Sequence, residues 1–303
     1  MSYLNQINFE AKISDVFDMH GNKIDPQIAR GVYRQDTGEL LAMAGPQTKI
    51  VNHMDVISPI LDHFNDQGYE IMDRPETGNK RAFYDLIGKK GAFISTEVSH
   101  NGARMRTDLV VGDFVEITGS SAYLPTGPDT MLHRYSFLNG LDGSTAISAN
   151  TSYERIVCAN SMVDQKWTAG IKAKHTVGLD VEALKARIAQ SAELMAQDAE
   201  MFEVYAKTKV TIQQAEKFFA DTIAKLSNKP NGDAHFSEPL VMTLLDLFRR
   251  EDQTVFGLWN AMTNWATHHK LKQGAVKLST TLGREQKVAS AMRAKQWHEL
   301  LAA

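Results

Sequence analysis

Between Arg74 and Arg106 the chain carries Arg74, Lys80, Arg81, Lys89, Lys90, Arg104 and Arg106, interleaved with Phe83, Tyr84 and Phe93. Guanidinium and ammonium groups attract phosphate whatever the base sequence, and aromatic faces stack on unpaired bases. A twisted sheet with basic turns would follow a single strand in this way. Lys80, Arg81, Lys89, Lys90, Arg104 and Arg106 are then the expected phosphate contacts, with Tyr84 and Phe93 as stacking platforms. A second group, Lys166-Trp167 with Lys172 and Lys174 beside His175, is opposed only by Asp164. There a cation next to an indole could clamp a base or a phosphate. Each group has a plainer reading. Lysine on a sheet edge discourages aggregation, and a tryptophan such as Trp167 can simply cap a sheet. Asp73, Glu76, Asp85, Glu97 and Asp108 also dilute the first group.

Other chemistries lack their residues. There is no GxxxxGK[ST] loop for a nucleoside triphosphate, no HExxH and no GxSxG elbow. His100, His133, His175, His235, His268 and His269 show no metal-ligand spacing. Asp142-Gly143-Ser144 and Asn160 read as turn and capping residues, and Cys158 sits between apolar neighbours as an inert thiol. The expectation is therefore no catalytic residue, no metal and no cofactor.

The 303 residues allow one large domain or two modest ones, with 43% hydrophobic and 23% charged content typical of globular chains. A net charge of −3 excludes a surface coated in positive charge but leaves room for a local basic face. No apolar run approaches the ~20 residues of a membrane span, and the first residues lack the pattern of a signal peptide. A single cysteine excludes an internal disulfide and fits a reducing, cytoplasmic setting.

Residues 1–30 read as a leader, 31–165 as a β-rich domain, and 166–303 as a helical region packing on it. Asp36-Thr37-Gly38 should turn a hairpin within Gly31–Ala44. Val56, Ile57, Ile60, Leu61 and Phe64 recur at helical spacing up to Gly68, with Pro59 inside. Strand-like runs follow at Tyr69–Ile71, Ala82–Ile87, Ala92–Val98 and Leu109–Ile117, and on both sides of the Asp142 turn. Helical stripes run over Val181–Phe202, with Asp180 as N-cap, and over Ile212–Leu226 after the capping box Thr211-x-x-Gln214. Further helices are expected over Ser237–Phe248 and Thr254–His269. The fold class this predicts is α+β, an antiparallel β-rich half followed by a helical half. The two stripes could form a helical hairpin that recruits other subunits, giving a homo-oligomer, or could bury each other within a monomer.

His133–Val163 places two strands around Leu141-Asp142-Gly143-Ser144 and closes on Arg155-Ile156-Val157-Cys158-Ala159-Asn160. This order resembles the "NSHDGTSS…FR-x-V-C-x-N" segment of a family of phage- and plasmid-borne proteins of unknown function. Tyr33-Arg34-Gln35-Asp36-Thr37-Gly38-Glu39-Leu40-Leu41 is similar to its "R-x-D-T-G-x-x-L", and Trp259-Asn260-Ala261-Met262-Thr263-Asn264 to its "W-x-x-x-NA-x-T-[EN]". Asn139-Gly140-Leu141 departs from the family's Ser-His-type pair, and Ser161 from its Gly or Thr. The resemblance implies an accessory protein of elements that enter or replicate through single-stranded DNA. A basic sheet beside helices is also similar to single-strand annealing recombinases, which use no nucleotide cofactor. Single-stranded DNA is thus the expected partner. A host defence or replication factor, bound without nucleic acid, is the alternative.

Overall fold

A computed structural model describes residues 3–75, 80–117, 129–155, 160–163, 171–194, 199–225, 236–269 and 278–302. The chain divides into two compact units. The first comprises Met1–Asp113, His133–Thr151 and Lys166–Met195, and the second Phe114–Leu132, Ser152–Gln165 and Ala196–Ala303.

In the first unit, β1 (Ala11–Ser14), β2 (Arg30–Arg34) and β3 (Leu40–Ala44) form a three-stranded antiparallel sheet in that order. The β2–β3 hairpin turns where Asp36-Thr37-Gly38 required it, with Gly38 at φ +73°. β1 arises inside the stretch expected to be a leader, where Ile7 and Phe9 are also buried. Phe9, Val32, Leu41 and Ala44 pack with Ala103 and Leu141 in one apolar cluster, which ties this sheet to the rest of the unit. α1 (His53–Asp66) buries Val56, Ile57, Ile60, Leu61 and Phe64 as their spacing demanded. It contains Pro59 and ends before Gly68 at φ +81°.

The larger sheet contains β4 (Glu70–Asp73), β5 (Gly91–Ser99), β6 (Arg104–Ile117), β7 (Asp129–Gly140), β8 (Ile147–Arg155), β9 (Asn160–Val163) and β10 (Ile171–Ala173). Its order is β10-β8-β7-β6-β5-β4, with β9 also paired to β8. An antiparallel sheet was expected, and here the structure corrects the sequence reading. β4 runs parallel to β5, in register from Glu70 with Gly91 to Asp73 with Ile94, so the sheet is mixed. A parallel neighbour needs a crossover of about a dozen residues or more. The chain meets that need with a helix, α2 (Lys80–Leu86), across most of the run expected to be a strand at Ala82–Ile87. Phe83 and Leu86, three apart, present one apolar side, and Leu86 is buried. Short apolar runs leave strand and helix indistinguishable until such a partner decides.

α3 (Val181–Leu194) begins at Asp180, whose carboxylate accepts from the Ala183 N–H at 3.0 Å. It packs on α1, with Lys185 bridging to Asp55 at 3.1 Å. The Val181–Leu194 part of the expected stripe thus packs on α1 within the first unit, whereas Phe202 belongs to the second.

The second unit holds α4 (Ala199–Lys207), α5 (Ile212–Asp221), α6 (Glu238–Phe248), α7 (Val255–His268), α8 (Leu278–Met292) and α9 (Lys295–Ala302). The last two were not anticipated. Strands thus concentrate before residue 165 and helices after it, the α+β layout expected, although α1 and α2 precede and β10 follows that point. Trp259 stacks on Phe202 (5.2 Å, 6° between planes), and Tyr205 meets Trp297 edge-on at 5.4 Å. Asn260, buried beside Trp259, donates to the Glu251 carboxylate at 3.3 Å. The tryptophan-asparagine motif is core packing here. Among the described residues no helix is long and apolar enough to cross a membrane.

Thr211 and Gln214 form the capping box reciprocally, with Thr211 Oγ1 accepting from the Gln214 N–H and Gln214 Oε1 from the Thr211 N–H. Replacing Thr211 with Ala should cost about 1 kcal/mol, read as a lower urea midpoint with an unchanged slope. An unchanged midpoint would show that the cap contributes nothing.

Candidate functional site

Strand alternation puts Arg106 and Asp108 on one face of β6, and Arg134 and Ser136 on one face of the adjoining β7. Asp108 consequently receives Arg106 Nε at 3.3 Å, Arg134 Nη2 at 2.7 Å and the Ser136 hydroxyl at 2.6 Å. Burial pushes its carboxyl upward, but the two guanidiniums and the hydroxyl outweigh that and hold it well below the usual carboxylate range. Arg106, expected to contact phosphate, is thus buried and engaged by Asp108. The two-residue spacing in Arg106-Thr107-Asp108 and Arg134-Tyr135-Ser136 is the signal that could have revealed the network.

A second polar centre lies where β7 ends. Asn139 Nδ2 donates to the Val51 carbonyl at 2.8 Å and lies 3.0 Å from His53 Nδ1. An amide nitrogen only donates, so His53 Nδ1 must accept. The proton then sits on Nε2, which donates to the Gly102 carbonyl at 2.8 Å. Burial lowers the His53 pKa to about 4, against the opposing hydrogen bond to Gly102, and nearby His175 lowers it further. His175 in turn lies 3.1 Å through Nδ1 from the Lys49 carbonyl, and burial lowers its pKa as well. Arg104 reaches Asp142 at 3.3 Å, and Ser144 donates to the same carboxylate through its amide and its hydroxyl. Asp142-Gly143-Ser144 is therefore a turn, as its composition suggested. The centre joins the loop before α1, the start of β6, the end of β7 and the segment after β10. Several of its hydrogen bonds fasten backbone, and the Ser144 hydroxyl is spent on Asp142.

Among the described residues, those predicted for the interface do not gather on one face. Phe93 is buried against Phe83 at 5.2 Å, so its ring is no stacking platform. Arg104 is half-buried on Asp142. Lys89 and Lys90 are exposed in the turn before β5, where Lys90 Nζ donates to the Gln67 carbonyl at 2.7 Å. Tyr84 is 44% exposed on α2, whose first two residues are Lys80 and Arg81. Lys172 and Lys174 are exposed on and just after β10. Four strand spacings lie between β10 and β5, roughly 19 Å. The Lys89–Lys90 turn and the Lys172–Lys174 pair are therefore separate. Lys166, Trp167 and Cys158 lie outside the described residues.

The Lys89–Lys90 turn is seated by Gly112 of β6. The Gly88 N–H donates to the Gly112 carbonyl at 3.0 Å, and a Cβ at 112 would run into the carbonyls of Leu86 and Lys89. The end of α2 and the turn are therefore held against β6, with Tyr84, Lys89 and Lys90 exposed along them. Among the described residues no group of three or more His, Cys, Asp or Glu could hold a metal ion.

A family model described as a domain of unknown function, DUF932, matches residues 68–298. No curated protein and no solved structure matches the chain. The matched span contains α2, the larger sheet and all the helices of the second unit except the end of α9. The three-stranded sheet and α1 precede it.

Two outcomes follow from the buried centres. Asp108→Asn removes the carboxylate that both Arg106 and Arg134 pair with and should cost about 3–5 kcal/mol in chemical denaturation. A loss below about 1 kcal/mol would show the network to be dispensable. His53 is neutral in the native protein, whereas the unfolded chain takes up its proton near pH 6.5. Its contribution is complete above pH 6.5 and is lost as pH falls toward about 4, by about 3 kcal/mol at most. Unfolding free energies at pH 7 and pH 4.5 should differ less in His53→Gln than in the unsubstituted chain, and equal differences would refute the buried neutral histidine.

Proposed function

The chain belongs to the DUF932 family, a domain of unknown function, and we propose that it is a phage- or plasmid-derived protein that binds single-stranded DNA without a nucleotide cofactor. The phage or plasmid derivation rests on the motifs of Tyr33–Leu41, His133–Val163 and Trp259–Asn264. One observation carries the binding: an exposed tyrosine, Tyr84, lies on the helix that begins at Lys80 and leads into the exposed Lys89–Lys90 turn. Aromatic faces stack on bases and lysines neutralise phosphates, so this edge offers both elements of sequence-independent strand binding. Asp85, also exposed on α2, weakens the field of Lys89 and Lys90 but does not cancel it. Lys172 and Lys174 form a second phosphate contact that a bound strand would reach by crossing the sheet. Arg106 and Phe93 take no part, since both are buried, and Arg104 contributes only by leaving Asp142. Annealing of complementary strands is the activity such binding would serve.

The test is fluorescence anisotropy of a labelled oligonucleotide at several salt concentrations. Affinity should fall linearly in log–log form, with a slope of about −0.7 per phosphate contact. Lys89→Ala with Lys90→Ala should flatten that slope by the equivalent of one to two contacts and leave the circular dichroism spectrum unchanged. Tyr84→Ala should weaken binding with the salt slope retained, since stacking releases no counterions. Absence of binding to single and double strands at low salt would sink the proposal and leave a protein partner as the function of the chain.

A further inference from the structure

Within the three-stranded sheet, β1 and β3 are the edges, and only β1 carries the charge that usually blunts an edge, the exposed Lys12. β3 reads Leu40-Leu41-Ala42-Met43-Ala44 without a charged residue, and among the described residues it pairs with β2 alone. Leu40 is 42% and Met43 44% exposed. Leu40 and Met43 thus expose large apolar side chains on an edge whose outer backbone groups, among the described residues, have no strand to bond.

We propose that β3 pairs antiparallel with β3 of a second copy of this chain, giving a two-fold dimer. A second copy is the occupant because the edge is self-complementary. The register shift opposite Val32 and Tyr33 disturbs the strand at its Leu40 end, and Pro46, with no N–H, closes the other. The free ladder is confined to about Leu41–Gly45, and antiparallel pairing of that stretch with itself centres on Met43. That register sets Met43 against its counterpart on one face and Ala42 against Ala44 on the other, so alternation is kept. Charge agrees with it. Asp36 and Glu39 lie at one end of β3, with Arg34 held by Asp36, whereas Arg30 and Lys49 lie at the other, bonded only to carbonyls in the described residues. Antiparallel pairing brings the acidic end of each copy to the basic end of its mate. The ladder is bounded at both ends, so it closes as a dimer rather than growing. This surface differs from the helical stripes suggested by sequence, and its dimer does not depend on DNA binding.

The experiment is light scattering on the full chain over a wide concentration range, with charge-swapped variants. The unsubstituted chain should show twice the 33.7-kDa chain mass. Met43→Lys and Met43→Glu each set like charges face to face across the axis and should run as monomers, while an equimolar mixture of the two should recover the dimer. Met43 is exposed, so both variants should keep the melting temperature of the monomeric fold, and β3 amide exchange should be slow only in the dimeric samples. A monomer at every concentration for the unsubstituted chain overturns the proposal. So does a dimer that survives either single variant, or a mixture that stays monomeric.

Discussion

Asp108 is the charge around which the larger sheet is organised. A carboxylate taken out of water is tolerated only with opposite charge and hydrogen bonds close at hand. β6 supplies one guanidinium from two residues away, and β7 supplies a second guanidinium and a hydroxyl. These bonds favour one register of β6 against β7, because a slip of one residue would turn Asp108 away from Arg134 and Ser136. With that pair placed, β5 and β8 have defined neighbours, and the strands beyond them follow. The same demand removes Arg106 from the surface. A residue type that signals phosphate binding in a linear reading serves here to keep a buried charge tolerable.

The centre at Asn139 does comparable work for the N-terminal residues. The amide of Asn139 bonds both Val51 and His53, and His53 passes the connection to Gly102. These links join the loop that starts α1 to strands of the family-matched region, while Phe9, Val32, Leu41 and Ala44 pack on Ala103 and Leu141. Directional hydrogen bonds specify how the segment sits, and apolar burial supplies most of the free energy that keeps it there. Neutral histidine is suited to this role because one ring nitrogen donates while the other accepts. Protonation would leave two donors where one acceptor is needed.

Exposure of Lys89 and Lys90 is a consequence of the parallel β4–β5 pair. The chain must return to the starting end of the sheet, so α2 and its turn run outside the strands. Gly112 lets the backbone of that turn approach β6 closely. The lysines therefore project from a braced loop, which lowers the ordering cost a ligand would meet. Lys172 and Lys174 depend on β10, at the opposite edge of the sheet.

Local pattern by itself determined much of this protein: the Asp36–Gly38 hairpin, α1, the Asp142 turn, the Asp180 cap, the Thr211 capping box and the helices at 238 and 255. Each depends on residues within one or two turns of each other, whose periodicity or capping chemistry needs no distant partner. Membership of a family of unknown function was legible for a similar reason in the motifs of His133–Val163 and Trp259–Asn264, which lie within the matched residues, whereas that of Tyr33–Leu41 precedes them. Tertiary structure alone decided that 80–86 is a helix, that β4 runs parallel, and that α3 packs on α1. It alone decided that Arg106 and Phe93 are buried while Tyr84, Lys89 and Lys90 are exposed. Those outcomes turn on which strand lies beside which, and an arginine reads the same in a sequence whether its nearest carboxylate is two residues away or on the next strand. Burial is a property of the assembled sheet, and the candidate interface could be drawn only after the sheet had claimed the charges it needed.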